Sequence, residues 1–128
     1  MNKNIIITTA APAPIGPYNQ AILAGNMLFI SGQVALIPET GEMANADIDQ
    51  ETHQVMKNLK NILTEGGIGF EDVVKTTIFL SDMNLFAQVN EIYGKYFSGD
   101  FPARETVAVK GLPKNANVEI SMVAVIKM

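Results

Sequence analysis

Cysteine is absent from this chain of 128 residues. That excludes disulfides, a cysteine nucleophile, an iron–sulfur cluster and cysteine-ligated zinc. Histidine is nearly absent: His53 stands alone. A multi-histidine metal site within one chain is therefore excluded, and a Ser-His-Asp triad could form only around His53. Positive charge is scarce as well. Nine Lys and Arg face 13 Asp and Glu, giving a net charge of −4 and a pI near 4.8. Phosphate contacts supply most of the affinity of nucleic-acid binders, and those proteins show a basic surplus or stripe; the few basic residues here are scattered. Long apolar runs are missing too. None approaches the ~20 residues of a membrane span. The run near the N-terminus, Ile5-Ile6-Ile7, is cut short by Pro12, Pro14 and Pro17 and does not read as a signal peptide. The cytoplasm is the expected compartment.

What is present fits one domain, residues 1–128. Hydrophobic residues make up 48% and charged residues 17%, which excludes a disordered chain. For so small a domain the apolar share is high, which suggests that some apolar surface is covered by another copy.

Ile5 to Thr8 reads as a short strand. Ala10 to Pro17 is irregular, because its prolines fix φ and remove donors. A strand over Tyr18 to Ala24, a Gly25-Asn26 turn and a strand over Met27 to Ser31 make a hairpin. The last of these is apolar on both faces, so cover on both faces is expected. Pro38 to Gly41 is a turn. Ile48 to Glu65 carries the clearest helical stripe: Ile48, Thr52, Val55, Met56, Leu59, Ile62 and Leu63. Asp47 is placed to cap it, and Gly66-Gly67 to stop it. Val73 to Leu80 alternates as a strand. A second helix is expected from Asn84 to Phe97, with Phe86, Val89, Tyr93, Tyr96 and Phe97 inward and Ser81 or Asp82 near its start. Strands over Arg104 to Lys110 and Val118 to Lys127 follow. In the last strand Val118, Ile120, Met122, Ala124 and Ile126 share one face, while Val123 and Val125 lie on the other. Two helices can cover only one face of such a sheet. The second face therefore calls for another subunit.

Few residues have a pattern that points to chemistry. His53, on the flank of the first helix, has no identifiable orienting carboxylate and reads as a surface histidine. Gly66-Gly67-Ile68-Gly69 follows a helix, whereas a phosphate cradle precedes one. Met56 and Met122 read as core filler. Arg104 is the only arginine, the other basic residues being lysines. It is suited either to a surface ion pair or to a bidentate grip on a carboxylate. Glu119 interrupts an apolar strand, so it is either paired or held in a cleft as an acid or base. A plain hairpin would set Arg104 against Ala124 and Glu119 against Val109, on opposite faces; a shifted register or a subunit boundary could still bring the two together. Tyr18 follows the rigid Ile15-Gly16-Pro17 segment and offers either a packed surface ring or a cleft wall.

Ile15-Gly16-Pro17-Tyr18, Ser31-Gly32-Gln33, Val74-Lys75-Thr76-Thr77 with Phe79, Phe101-Pro102-Ala103-Arg104, Leu112-Pro113-Lys114 and Val118-Glu119-Ile120 together resemble the Rid family, the YjgF-type reactive intermediate deaminases. The resemblance runs in order over nearly the whole chain. It implies an α+β, chorismate-mutase-like single domain: a mixed, mostly antiparallel sheet with two helices on one face. It also implies a homotrimer with clefts between subunits, and no cofactor or metal. The implied activity is hydrolysis of 2-iminobutanoate and 2-iminopropanoate, and of their enamine forms, to 2-keto acids and ammonia. Such imines arise when pyridoxal-phosphate enzymes dehydrate threonine or serine.

Residue by residue, the resemblance gives Arg104 the substrate carboxylate and Glu119 the attacking water. Tyr18, Ser31, Gly32, Asn90 and Thr106 become substrate-binding positions of the cleft. Thr106 stands where many members carry cysteine, which favours direct attack by water. Glu105 stands where a small residue is common, and strand alternation turns it away from the substrate. The alternatives are a non-catalytic small-carboxylate-binding regulator, a ribonuclease or translation inhibitor, which the negative charge argues against as a primary role, and a redox-activated holdase, which could not rely on cysteine.

Overall fold

The structure is a computed structural model that describes residues 3–127. Six strands form one sheet: β1 (Lys3–Ile6), β2 (Ala21–Ala24), β3 (Met27–Gln33), β4 (Val73–Leu80), β5 (Ala103–Ala108) and β6 (Val118–Val125). Their spatial order is β1-β2-β3-β6-β4-β5. All pairings are antiparallel except β4 with β5. The two helices are α1 (Ile48–Glu65) and α2 (Phe86–Gly94). This is the expected α+β arrangement.

Helix α1 has the bounds its sequence predicts. The Asp47 side chain accepts from the Gln50 amide at 2.7 Å. Gly67, with φ of +78°, supplies the left-handed residue that ends the helix. Its stripe is buried from Thr52 through Leu63. Packed beneath it are Val118, Ile120, Met122 and Ala124 of β6, all at most 1% exposed. Helix α2 is shorter than its apolar spacing suggests. Asp82 caps a 3-10 turn at Met83–Leu85, and the α-helix stops at Gly94. Tyr96 and Phe97 then pack on the core from beyond the helix end.

The other sheet face is not covered within the chain. Phe29, Val74 and Val107 are 47%, 45% and 43% exposed there. It is the face opposite the helices that stays open in the single chain, the face for which the sequence calls for another subunit. Among the described residues no helix is long and apolar enough to cross a membrane.

Candidate active site

Strand β3 carries a bulge. Ile30 pairs with Met122 and Gln33 with Ile120, so Ser31 and Gly32 together oppose Ser121. The extra residue turns both Ile30 and Gln33 inward and brings the backbone at Gly32 under the Glu119 side chain. A Cβ on Gly32 would meet the Glu119 Cδ at 2.8 Å, so only glycine leaves room for the carboxylate. Ser31 is locked to the preceding loop: its amide donates to the Gln20 carbonyl at 2.9 Å and its hydroxyl to the Asn19 carbonyl at 2.6 Å.

A cleft of about 350 Å3 opens over this bulge, with Pro12, Ile15, Tyr18, Ser31, Gly32 and Glu119 among its lining residues. Buried Gln20 shapes its rim. The Gln20 amide donates to the carbonyls of Thr8, Ala11 and Pro12, and its carbonyl accepts from the Thr8 amide. The proline-rich segment is thus pinned by one side chain. The Tyr18 hydroxyl accepts from the Ile15 amide at 3.4 Å. Burial pushes the Glu119 carboxyl above its ordinary range.

Helix α1 supports this cleft from below. The Asn58 amide donates to the carbonyls of Val34 and Leu36, just past β3. Glu51 is fully buried and accepts from the Asn117 amide N–H at 2.6 Å, the Asn117 side-chain Nδ2 at 3.0 Å and the Val118 amide at 3.3 Å.

Arg104 lies elsewhere. Its guanidinium sits over the rings of Tyr93 and Phe86, at 5.1 and 5.6 Å. Tyr93 is fixed in turn by a 2.8 Å hydrogen bond with the Thr76 hydroxyl. Among the described residues Arg104 joins no ion pair. It opens, with Asn90, Tyr93, Gly94, Phe101 and Pro102, onto a second cleft of about 310 Å3. Phe101, 62% exposed, stands at that mouth.

The structure therefore gathers Tyr18, Ser31, Gly32 and Glu119 in one cleft and Asn90 with Arg104 in another. Thr106 lines neither; its hydroxyl is buried and finds no hydrogen-bond partner among the described residues. The hairpin that would pair β5 with β6 does not form, because β4 lies between them. Arg104 aligns with Thr76 and Met122, whereas Glu119 aligns with Phe79 and Val107. Two strands and three residues of offset separate them by roughly 14 Å between Cα atoms. They also lie on opposite sheet faces. The departure at Glu105 resolves simply: it bonds Lys75 and Thr77, each at 3.1 Å, on the face away from Arg104. Those two partners hold its carboxyl below the usual range. His53 shares a 2.7 Å hydrogen bond with the Tyr96 hydroxyl on the outer flank of α1.

Residues 8–126 match the family described as endoribonuclease L-PSP. The mouse protein named 2-iminobutanoate/2-iminopropanoate deaminase is 47% identical over 96% of this chain and 91% of its own. A solved structure of a conserved Rid-family protein from Yersinia pestis superposes with a TM-score of 0.95 at 46% identity, covering 98% of this chain and 100% of that one. The structure of E. coli TdcF with bound serine superposes with a TM-score of 0.93 at 38% identity, covering 97% and 99%.

Proposed function

This chain belongs to the endoribonuclease L-PSP family, and we propose that it hydrolyses small 2-imino acids, 2-iminobutanoate and 2-iminopropanoate among them, to 2-keto acids and ammonia. The observation that carries the reading is the chemistry of the two clefts. One holds a stacked arginine, without an ion-pair partner among the described residues, suited to a carboxylate. The other holds a half-buried glutamate whose pKa is raised, suited to a general base. A relative named as an imine deaminase and another solved with a bound amino acid support that choice of substrate.

The same geometry calls for assembly. A 2-imino acid places its carboxylate one bond from the reacting carbon. It cannot span the two clefts of one chain. In a closed cyclic oligomer the Glu119 cleft of one subunit would face the Arg104 cleft of the next, and the open apolar face around Phe29, Val74 and Val107 would be covered. Three subunits is the number the resemblance implies.

The steps then follow. Arg104 grips the carboxylate through paired N–H donors, while Tyr18, Asn90 and the Ser31-Gly32 wall bound the cleft. Glu119 accepts a proton from water as its oxygen bonds to the imine carbon, and the C=N π pair moves to nitrogen. Glu119 returns the proton to nitrogen. The carbinolamine hydroxyl then passes its proton through Glu119 to that nitrogen, so that the C–N bond breaks, ammonia leaves and the keto group forms.

An amino-acid oxidase coupled to semicarbazide trapping of free imine tests the reading. Wild type should speed imine loss. Arg104→Ala should lower kcat/KM at least about a hundredfold, and Arg104→Lys most of the way, because a point charge does not replace the fork. No acceleration across several amino-acid-derived imines would refute the enzyme and favour a carboxylate-binding regulator.

A further inference from the structure

The chain holds one fully buried carboxylate that the reaction above does not use, Glu51 of α1. Its three donors all belong to Asn117 and Val118, at the entry to β6. The same entry is tied on its other side to the end of β4. The Ser81 amide donates to the Asn117 carbonyl at 2.9 Å, and the Ser81 hydroxyl to the Asn117 side-chain carbonyl at 2.8 Å. Glu119 follows Val118 directly. We propose that Glu51 is a positioning residue for Glu119: by clamping Asn117 and Val118 it fixes where β6 begins, and so holds the Glu119 carboxylate over Gly32.

Three observations support this beyond simple helix-to-sheet packing. The donors are specific to the two residues before Glu119, rather than spread along the strand. The segment before β6 turns through unfavourable backbone, since Lys114 and Asn115 both have positive φ, at 58° and 53°, so the start of the strand is not set by regular backbone alone. And Glu119 needs a narrow placement, because its carboxylate occupies the space a side chain at position 32 would fill. Arg104 stands apart from this clamp, held by Tyr93 and Phe86 of α2. Loss of the clamp should therefore weaken the chemical step and spare the carboxylate grip.

The test is a reciprocal exchange. In Glu51→Gln the new amide nitrogen faces the Asn117 side-chain amide, donor against donor, and an Asn117 flip relieves this only by giving up the bond that the Ser81 hydroxyl donates to the Asn117 side-chain carbonyl. Adding Asn117→Asp restores a donor–acceptor pair with the polarity reversed, and still leaves an oxygen for Ser81. We expect Glu51→Gln to lower kcat by ~10–100-fold, as small misplacements of a reacting group do, with KM changed less than about twofold. The double variant should recover most of the kcat. A second readout does not depend on turnover: the Glu119 carboxyl, followed by carbon NMR, should titrate closer to an ordinary glutamate in Glu51→Gln and return in the double variant. A folded Glu51→Gln protein with unchanged kcat and unchanged Glu119 titration would overturn the proposal, as would a double variant that recovers neither. The proposal rests on the reading of Glu119 as the water-holding group. If wild type fails to hydrolyse any imine, that reading fails, while the titration arm still decides whether Glu51 positions Glu119.

Discussion

The Glu119 side chain lies directly over the backbone of Gly32, so that a Cβ at position 32 would sit 3.1 Å from the Glu119 Cγ and closer still to its carboxylate. The contact is with the far end of a side chain, and that decides what a substitution does. In Gly32→Ala the carboxylate can swing aside, so stability should change by no more than about 1 kcal/mol. The group that holds the water is then out of place, and kcat should fall about a hundredfold. Thermal melts and steady-state kinetics on the same preparation check this. A variant that loses stability and activity in proportion would show that Gly32 serves only the fold.

The pH profile of activity should carry the signature of Glu119. Burial raises its pKa in the chain itself, and a facing subunit's Arg104 pulls the other way, so an acid limb of kcat/KM above the ordinary carboxylate range is the outcome expected where burial outweighs that cation. Stability should move the opposite way. Between the ordinary value and the raised one, the folded protein keeps a proton that the unfolded chain has released, so stability is lost as pH rises through that window. Glu105 does not share it, because Lys75 and then Thr77 lower its pKa and it is already ionised there. Glu119→Gln should abolish the acid limb along with activity and remove that pH dependence of the melting temperature. An acid limb in the ordinary carboxylate range would show that the cation outweighs burial or that another group sets it.

Much of this was legible in the sequence. The bounds of α1 and β4 follow from unbroken periodicity with caps at the ends, and the alternation of β6 already separates Glu119 from the core positions around it. The face assignment of Arg104 and Glu119 was open because it depends on which strands are neighbours; β4 enters between β5 and β6, and no local pattern announces that. The bulge at Ser31-Gly32 was equally hidden, since it matters only once β6 lies alongside. Glu51 and Asn58 lie on the buried flank of α1 and no sequence pattern singles them out, because their burial depends on loops far away in the chain. Gln20 is silent for the same reason.

Thr106 carries a separate expectation. Its hydroxyl is buried without a partner among the described residues, and such a group lowers stability. Thr106→Val should raise stability by about 1 kcal/mol, a gain of a few degrees in melting temperature. Kinetics on that variant discriminate further. If catalysis is unaffected, the hydroxyl has no part in the reaction; a loss of kcat despite higher stability would place it on the substrate in the assembled enzyme.

Mixing two inactive variants separates a shared site from a private one. Arg104→Ala keeps an intact Glu119 cleft, and Glu119→Gln keeps an intact Arg104 cleft. If each site belonged to a single chain, no mixture could recover activity. If each site joins the Glu119 cleft of one subunit to the Arg104 cleft of the next, as the ~14 Å separation and opposite faces require, then unfolding and refolding the two together creates some sites with both halves intact. With equal amounts and random assembly into closed rings, a given site takes a working Glu119 half with a chance of one half and a working Arg104 half with the same chance. The mixture should therefore reach about a quarter of wild-type activity. A third variant closes the argument. Phe29→Glu puts a charge on the open apolar face, 47% exposed in the single chain, and burying that charge against a neighbour would be costly. It should yield a folded but dissociated protein by light scattering, with both clefts present and no activity. Full activity in that dissociated protein would refute the shared site outright.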